Sequence, residues 1–277
     1  MGFRINTNVS SIAAQRALSV NNRNTQNTLN KMSSGSRITK ASDDAAGLAI
    51  SEKLKAQIRS TSQANRNAND GISMVQTAEG GLDEISNMLT RLRELSIQSA
   101  SDTVGDTERS FTNMEYQQLK NEIERIAQVT EFNGTKLLAG QGDKLDFQIG
   151  INNDAFQDRI SYDVKMTNAK LEGLGITDID VSSKLGAQGS LSTIDKAIET
   201  VSGQRAGLGA IQNRLVSTSN NLQITEENLS AANSRIRDVD YAEVAAQNAK
   251  NNILGQAGTS VLAQANSQGQ NALKLLG

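Results

Sequence analysis

The chain holds 277 residues with a formal net charge of −2 at pH 7, and it contains no Cys, His, Trp or Pro. Without Cys or His, the common structural zinc sites, haem ligation, Ser-His-Asp triads and Cys-His pairs are excluded, which leaves acid–base chemistry to carboxylates, Lys or Tyr. Lys and Arg are scattered among acidic and amide residues with no basic, aromatic-interleaved stripe for nucleic acid, and no apolar run approaches the ~20 residues of a membrane span.

Residues 1–33 are rich in Asn, Ser and Thr, and Ile5, Val9 and Ile12 form a sparse helical stripe that Leu18, Leu29 and Met32 extend. Residues 31–44 read as a linker with a turn at Gly35, with Ser42 or Asp43 placed to cap the next helix. Residues 45–100 return to helix, with Val75, Ala78, Leu82, Ile85, Leu89, Leu92 and Leu95 at steps of three and four. Gly80 and Gly81 interrupt that stripe at a cost of ~1 kcal/mol each and predict a bend. After a loop over 101–108, residues 109–130 form a second amphipathic helix on Met114, Leu119, Ile123, Ile126 and Ala127, ended by the turn Phe132-Asn133-Gly134.

The period then changes. Leu145, Phe147 and Ile149 alternate, as do Ile160, Tyr162, Val164 and Met166, on either side of Asn152-Asn153-Asp154. This predicts a small antiparallel β-hairpin region within residues 137–180, with Gly173 and Gly175 in a following loop. Residues 190–236 carry the clearest pattern, with Ile194, Ile198, Val201, Leu208, Ile211, Leu215, Leu222, Leu229 and Ile236 near a 3.5-residue period. A continuous helix there is about 70 Å long and needs partners along its length. Residues 240–277 hold a weaker stripe of Leu254, Gly258, Val261, Ala265, Gln268, Ala272 and Leu275, in which small residues dominate.

The expected fold is therefore mainly α, an elongated, long antiparallel helical bundle or coiled coil with a small antiparallel β-hairpin region. An average proline usage would place roughly 14 in such a chain, so their absence suits uninterrupted helices. It also removes a slow isomerisation step from folding. Both ends carry too little apolar surface to fold alone and are expected to order on association. The N-terminus lacks the apolar stretch and cleavage site of a conventional secretion signal. Asp43-Asp44 and Asp238, Asp240 and Glu243 read as helix caps rather than metal or catalytic carboxylates, since the Gly and distal Glu of a calcium loop are missing. Gly207-Leu208-Gly209 follows no strand and is not a nucleotide loop, and Asn8-Val9-Ser10 is a short glycosylation sequon of the kind that occurs by chance. No metal, cofactor or catalytic residue is expected.

Long segments resemble bacterial flagellin. RINTNVSSIAAQRALS (4–19) is similar to the family's opening, and MSSGSRITKASDDAAGLAISEKLKAQIR (32–59) to its L-S-[ST]-G-x-R-I-N-x-A-x-D-D-A-A-G-[LM]-A-I signature. Further similar blocks are DGISMVQTAEGGLDEISNMLTRLRELSIQSA (70–100), EFNGTKLL (131–138), NLSAANSRIRDVDYAEVAA (228–246) and QAGTSVLAQANSQGQNALKLL (256–276). Ser36 and Arg237 depart from the pattern, where a Leu and an acidic residue are common, and the middle is too short for an outer variable domain.

The resemblance implies a structural subunit rather than an enzyme. It polymerises into the extracellular filament of the bacterial flagellum for swimming motility, after type III export as an unfolded chain and addition at the tip. A hook–filament junction protein of the same superfamily is the alternative. The lack of His rules out the zinc-protease inserts that a few members carry. Residues 1–44 with 236–277 are expected to form the filament-core domain, disordered in the monomer, and residues 45–235 a spoke domain. The polymerisation core is expected at Ile5, Val9, Ile12, Leu254, Val261, Leu262 and Leu275. Implied partners are other copies of the chain, hook-associated and filament-cap proteins, an export chaperone on the C-terminal helix near 254–276, and Toll-like receptor 5 at Arg91, Leu95 and Glu115.

Overall fold

The computed structural model describes residues 7–274, with side chains to residue 267. Its elements, in chain order, are α1 (Val9–Ser34), α2 (Ala45–Ser99), α3 (Asp106–Val129), β1 (Glu131–Phe132), β2 (Thr135–Lys136), β3 (Lys144–Gln148), β4 (Arg159–Asp163), a 3-10 turn (Val164–Met166), α4 (Leu171–Leu174), α5 (Lys184–Arg237) and α6 (Tyr241–Lys274). The fold is mainly helical with two small antiparallel hairpins. It divides into two compact units, Met1–Ala56 with Asn228–Gly277, and Gln57–Glu227.

The Gln57–Glu227 unit is built around heptads of apolar residues. Val75, Ala78, Leu82, Ile85, Leu89 and Leu92 of α2 are fully buried, as are Ile194, Val201 and Leu215 of α5. Spacings of three and four bring such residues to one seam, where each buried Leu or Ile side chain is worth about 1.5–3 kcal/mol. The two helices run antiparallel: Asn65 Oδ1 accepts from Ser219 Oγ, and Ser96 Oγ meets Ser190 Oγ further along. The core face of α3 is Tyr116, Ile123 and Ala127 together with the buried cations Arg109 and Lys120. Those cations satisfy loop carbonyls that would otherwise be orphaned. Arg109 donates to the carbonyls of Ser99 and Ser101, and Lys120 Nζ to those of Thr177 and Ile179 at 2.7 and 2.9 Å. Met114, expected on this face, is exposed.

No break occurs at Gly80-Gly81, and α2 is continuous through both. A Cβ on Gly81 would lie 2.7 Å from Leu138 Cδ1 and 2.8 Å from Thr130 Oγ1, whereas one on Gly80 would meet nothing within 4 Å. Gly81 therefore lets the β1–β2 segment close onto α2, and the predicted bend is absent. The Phe132-Asn133-Gly134 turn joins β1 to β2, with Asn133 and Gly134 at positive φ. In the second hairpin Leu145 pairs with Tyr162 and Phe147 with Ile160. The alternation ends sooner than predicted. The Asp163 side chain accepts from the Lys165 N–H and starts the 3-10 turn, which buries Val164 and leaves Met166 exposed.

Candidate functional site

The unit containing both chain ends is organised by α1 against α6. Their contact follows a heptad on each helix, Ser11, Ala14, Leu18, Asn21, Thr25, Thr28 and Met32 on α1. On α6 it follows Val244, Asn248, Asn251, Gly255, Gly258, Leu262 and Ala265. The pairing is antiparallel and largely polar. Asn8 Nδ2 donates to the Ala265 carbonyl at 2.9 Å, Ser11 Oγ to Asn266 Oδ1 at 2.8 Å, and Asn21 Nδ2 to the Asn251 carbonyl at 2.8 Å. Asn251 Nδ2 donates to Thr28 Oγ1 inside the seam. Gly255 and Gly258 let α1 come close, their Cβ positions lying 3.3 Å from Asn21 Nδ2 and 3.4 Å from Leu18 Cδ1.

Four large apolar residues, Leu18, Met32, Val244 and Leu262, are half-buried in the seam, but most of those on these helices point elsewhere. Val9 is 65% exposed and Val261 59%, and Ile12, Val20, Leu29, Ile253 and Leu254 are exposed as well. Of the residues singled out from sequence, Val9, Ile12, Leu254 and Val261 thus lie on open faces, and Leu262 is half-buried against α1. The α6 stripe splits, with Gly258 and Ala265 in the seam and Leu254 and Val261 outside it. Ile5 and Leu275 lie outside the described residues. These open apolar residues lie on a helix pair whose own seam is closed largely by hydrogen bonds, and contiguous exposed apolar surface of this kind is uncommon on a protein without a partner.

A short clamp that the sequence reading missed fixes the register of the two ends. α1 stops at Gly35 in the left-handed conformation (φ 65°), and Ser36 then bridges Asp238 in antiparallel fashion. Arg37 N–H donates to the Arg237 carbonyl and Val239 N–H to that of Gly35. The Arg37 guanidinium reaches the Ile236 carbonyl at 2.8 Å. Arg237, where an acidic residue is common in the resembled pattern, pairs with Glu52. The only signal in the sequence was a glycine at a helix end followed by residues without helical spacing.

The aspartates act as caps. Asp44, rather than Ser42 or Asp43, caps α2 by accepting from the Gly47 N–H. Asp43 instead gathers Thr39 and Lys40, and those hydrogen bonds, the Thr39 hydroxyl first, hold its carboxyl below the usual range. Asp240 caps α6 through the Ala242 and Glu243 N–H groups. Among the described residues no group of three or more acidic side chains is arranged to hold a metal, and no helix is long and apolar enough to cross a membrane.

On the other unit, Arg91 and Glu115 are brought together across α2 and α3. Arg91 Nη2 lies 2.9 Å from Glu115 Oε1, and Nη1 lies 2.9 Å from Glu94 Oε2. The hydrogen bonds Arg91 donates to Glu94 and then to Glu115 raise the guanidinium pKa above its ordinary value. Leu95 does not join them at the surface. It is 2% exposed and packs in the core.

Comparison with known proteins accounts for both ends of the chain. Residues 5–143 match the bacterial flagellin N-terminal helical region and residues 191–276 the bacterial flagellin C-terminal helical region. A flagellin of Halalkalibacterium halodurans is 44% identical over 98% of this chain and 99% of its own, and one of Bacillus subtilis is 43% identical over 99% and 100%. The flagellar filament 30.7 kDa core protein of Treponema maltophilum is 42% identical over 98% and 99%. The crystal structure of Bacillus cereus flagellin superposes with a TM-score of 0.50 at 31% identity, covering 61% of this chain and 94% of that one.

Proposed function

The chain belongs to the bacterial flagellin family, and we propose that it is the structural subunit of a flagellar filament, formed by copies of itself outside the cell. One observation carries the reading beyond family membership. Most of the large apolar residues of α1 and α6, Val9, Ile12, Val20, Leu29, Ile253, Leu254 and Val261, are turned away from the α1–α6 seam, so each subunit offers unsatisfied apolar surface at its chain ends. Copies packed along those faces would bury it, with residues 1–44 and 236–277 as the filament core and residues 45–235 outside it.

The weak seam supports the finer parts of the reading. A helix pair closed mainly by Asn, Ser, Thr, Ala and Gly, with Leu18, Met32, Val244 and Leu262 only half-buried, gains little apolar area on folding. The ends can then stay unfolded through type III export and order on addition at the tip. The same exposed face of α6 suits an export chaperone that holds the helix in a groove, and hook-associated and cap proteins that meet the filament at its two ends. Arg91 and Glu115, both half-exposed, are the accessible part of a Toll-like receptor 5 contact, with Leu95 supporting them from beneath.

The test is Val261→Asp, an exposed position off the seam. Seeded growth is followed by sedimentation and electron microscopy, with helicity of the monomer as control. We expect unchanged helicity and a critical concentration raised about tenfold or more, equivalent to ~1.4 kcal/mol. Filament growth at the wild-type concentration by a folded variant would refute the assignment of this face.

A further inference from the structure

The Gln57–Glu227 unit carries a cleft of about 460 Å³ between the β3–β4 hairpin and α5. That size falls within the range of small-ligand sites, roughly 300–1,000 Å³. On the α5 side, Asn213 with Ser217 and Arg214 with Thr218 stand one helical turn apart and so share a face. On the hairpin side stand Arg159 and, at the mouth, Phe156, which is 91% exposed. No carboxylate among the described residues lines the cleft.

Neither guanidinium has a counter-ion among the described residues. Arg214 makes no hydrogen bond or ion pair with any of them. Arg159 uses neutral acceptors only, its Nε donating to Gln148 Oε1 at 3.2 Å and its Nη2 to Asn153 Oδ1. Gln148 is itself fixed. Its Nε2 donates to the carbonyls of Gly150 and Asn152 at 3.0 and 2.8 Å, and its own carbonyl accepts from Asn67 Nδ2 at 3.0 Å. Arg159 is thereby held in one orientation with Nη1 unused. The acids of the same loop are engaged elsewhere. Asp154 accepts from the N–H groups of Phe156 and Gln157, and Asp158 from that of Asp154. Two cations in one cleft repel each other, and an anion between them removes the repulsion while gaining charge-assisted hydrogen bonds.

We infer that this cleft binds an acidic saccharide, a sugar that carries a carboxylate or sulfate group. The oxyanion accepts from Arg159 Nη1 and from the planar fork of Arg214. Asn213, Ser217 and Thr218 supply donors and acceptors for the ring hydroxyls. The exposed ring of Phe156 packs on the apolar C–H face of the sugar. A bare oxyanion leaves the amide, hydroxyl and aromatic groups unused, and a neutral sugar leaves both guanidinium groups unpaired. This binding is a property of the single subunit and goes beyond the filament reading, so either can fail without the other.

The test titrates the soluble full-length subunit with tetragalacturonate, a sulfated carrageenan tetrasaccharide, neutral maltotetraose and inorganic sulfate. Affinity is read by calorimetry and location by amide NMR shifts. We expect at least one acidic tetrasaccharide to bind, with shifts in the β3–β4 hairpin and around Arg214, and the tighter of the two identifies the anion preferred. Arg214→Gln and Phe156→Ala replace exposed side chains, so each should keep wild-type helicity while weakening that binding about tenfold. Absence of binding by both acidic tetrasaccharides at millimolar concentration overturns the inference, as does equal binding of maltotetraose. Inorganic sulfate binding as tightly as the tetrasaccharides reduces the cleft to an adventitious ion only and overturns it too. Unchanged affinity in a folded Arg214→Gln variant places the saccharide elsewhere and refutes this site.

Discussion

Adjacent glycines at the centre of α2 provide an internally controlled test of packing. Replacing Gly80 by Ala adds a methyl group where nothing lies within 4 Å, so only the helix-propensity gain of about 1 kcal/mol remains. Replacing Gly81 by Ala gains the same propensity but drives Cβ to 2.7 Å from Leu138 Cδ1 and 2.8 Å from Thr130 Oγ1. Leu138 is fully buried and has no free direction in which to move. Overpacking of this kind costs about 1–3 kcal/mol, which leaves Gly81→Ala between neutral and ~2 kcal/mol destabilised. For a unit of this size each kcal/mol moves the melting point by about 2–4 °C. Thermal unfolding of the monomer, followed by far-ultraviolet circular dichroism, should show Gly80→Ala raised by ~2–4 °C and Gly81→Ala unchanged or lowered by up to ~8 °C. Equal stabilisation by both substitutions would refute the claim that Gly81 is required by close approach of the β1–β2 segment.

Residues 1–40 and 240–277 should be cut readily by a non-specific protease in the monomer and protected in the polymer, because the α1–α6 seam buries little apolar area; equal protection in the monomer contradicts that account. Alkaline pH should unfold the Gln57–Glu227 unit through Tyr116 and Tyr162. Burial raises both phenols above their ordinary 10, so their contribution is complete below the unfolded value and is lost as pH rises through the folded one. Lys120 acts in the opposite sense: burial lowers its pKa, and the cost of keeping it charged is relieved as pH climbs toward 10.5. Tyrosinate absorbance near 295 nm should therefore rise together with loss of helicity above pH 10. Ionisation of these tyrosines with helicity intact would contradict the tyrosine account.

The long α2 and α5 seams were legible because large apolar residues recur there at heptad spacing, and Leu82, Ile85, Leu89, Ile194 and Leu215 are all fully buried. The α1–α6 seam was legible only as a helix pair, not as a contact. Apolar spacing pointed to Val9, Ile12, Leu254 and Val261, while the helices meet along Ser11, Asn21, Thr28, Asn251 and Gly258. A hydrophobic scan cannot see a seam built from hydrogen bonds and missing side chains. Gly81 misled for a related reason. A helix-interior glycine costs propensity wherever it stands, and only the position of Leu138, 57 residues later, shows what it is for.

Separating the seam from the apolar faces has an energetic consequence for assembly. Val9, Ile12, Val20, Leu29, Ile253, Leu254 and Val261 each keep about half of their side chain in water. Burying the remainder is worth about 1 kcal/mol per residue, or roughly 5–10 kcal/mol per subunit. Bringing two molecules together costs an estimated 4–15 kcal/mol in lost freedom. A single partner covers only part of these faces, because they lie on two helices and flank the seam, so two copies in solution gain too little to stay together. A subunit entering an existing end meets several neighbours while losing its freedom once, and the balance turns favourable there. Had the seven exposed large residues joined Leu18, Met32, Val244 and Leu262 in the seam, the helix pair would fold firmly on its own and leave little surface for the neighbours. Weakness within the subunit and strength between subunits thus follow from one choice of which heptad positions carry Asn, Gly and Thr and which carry Val, Ile and Leu.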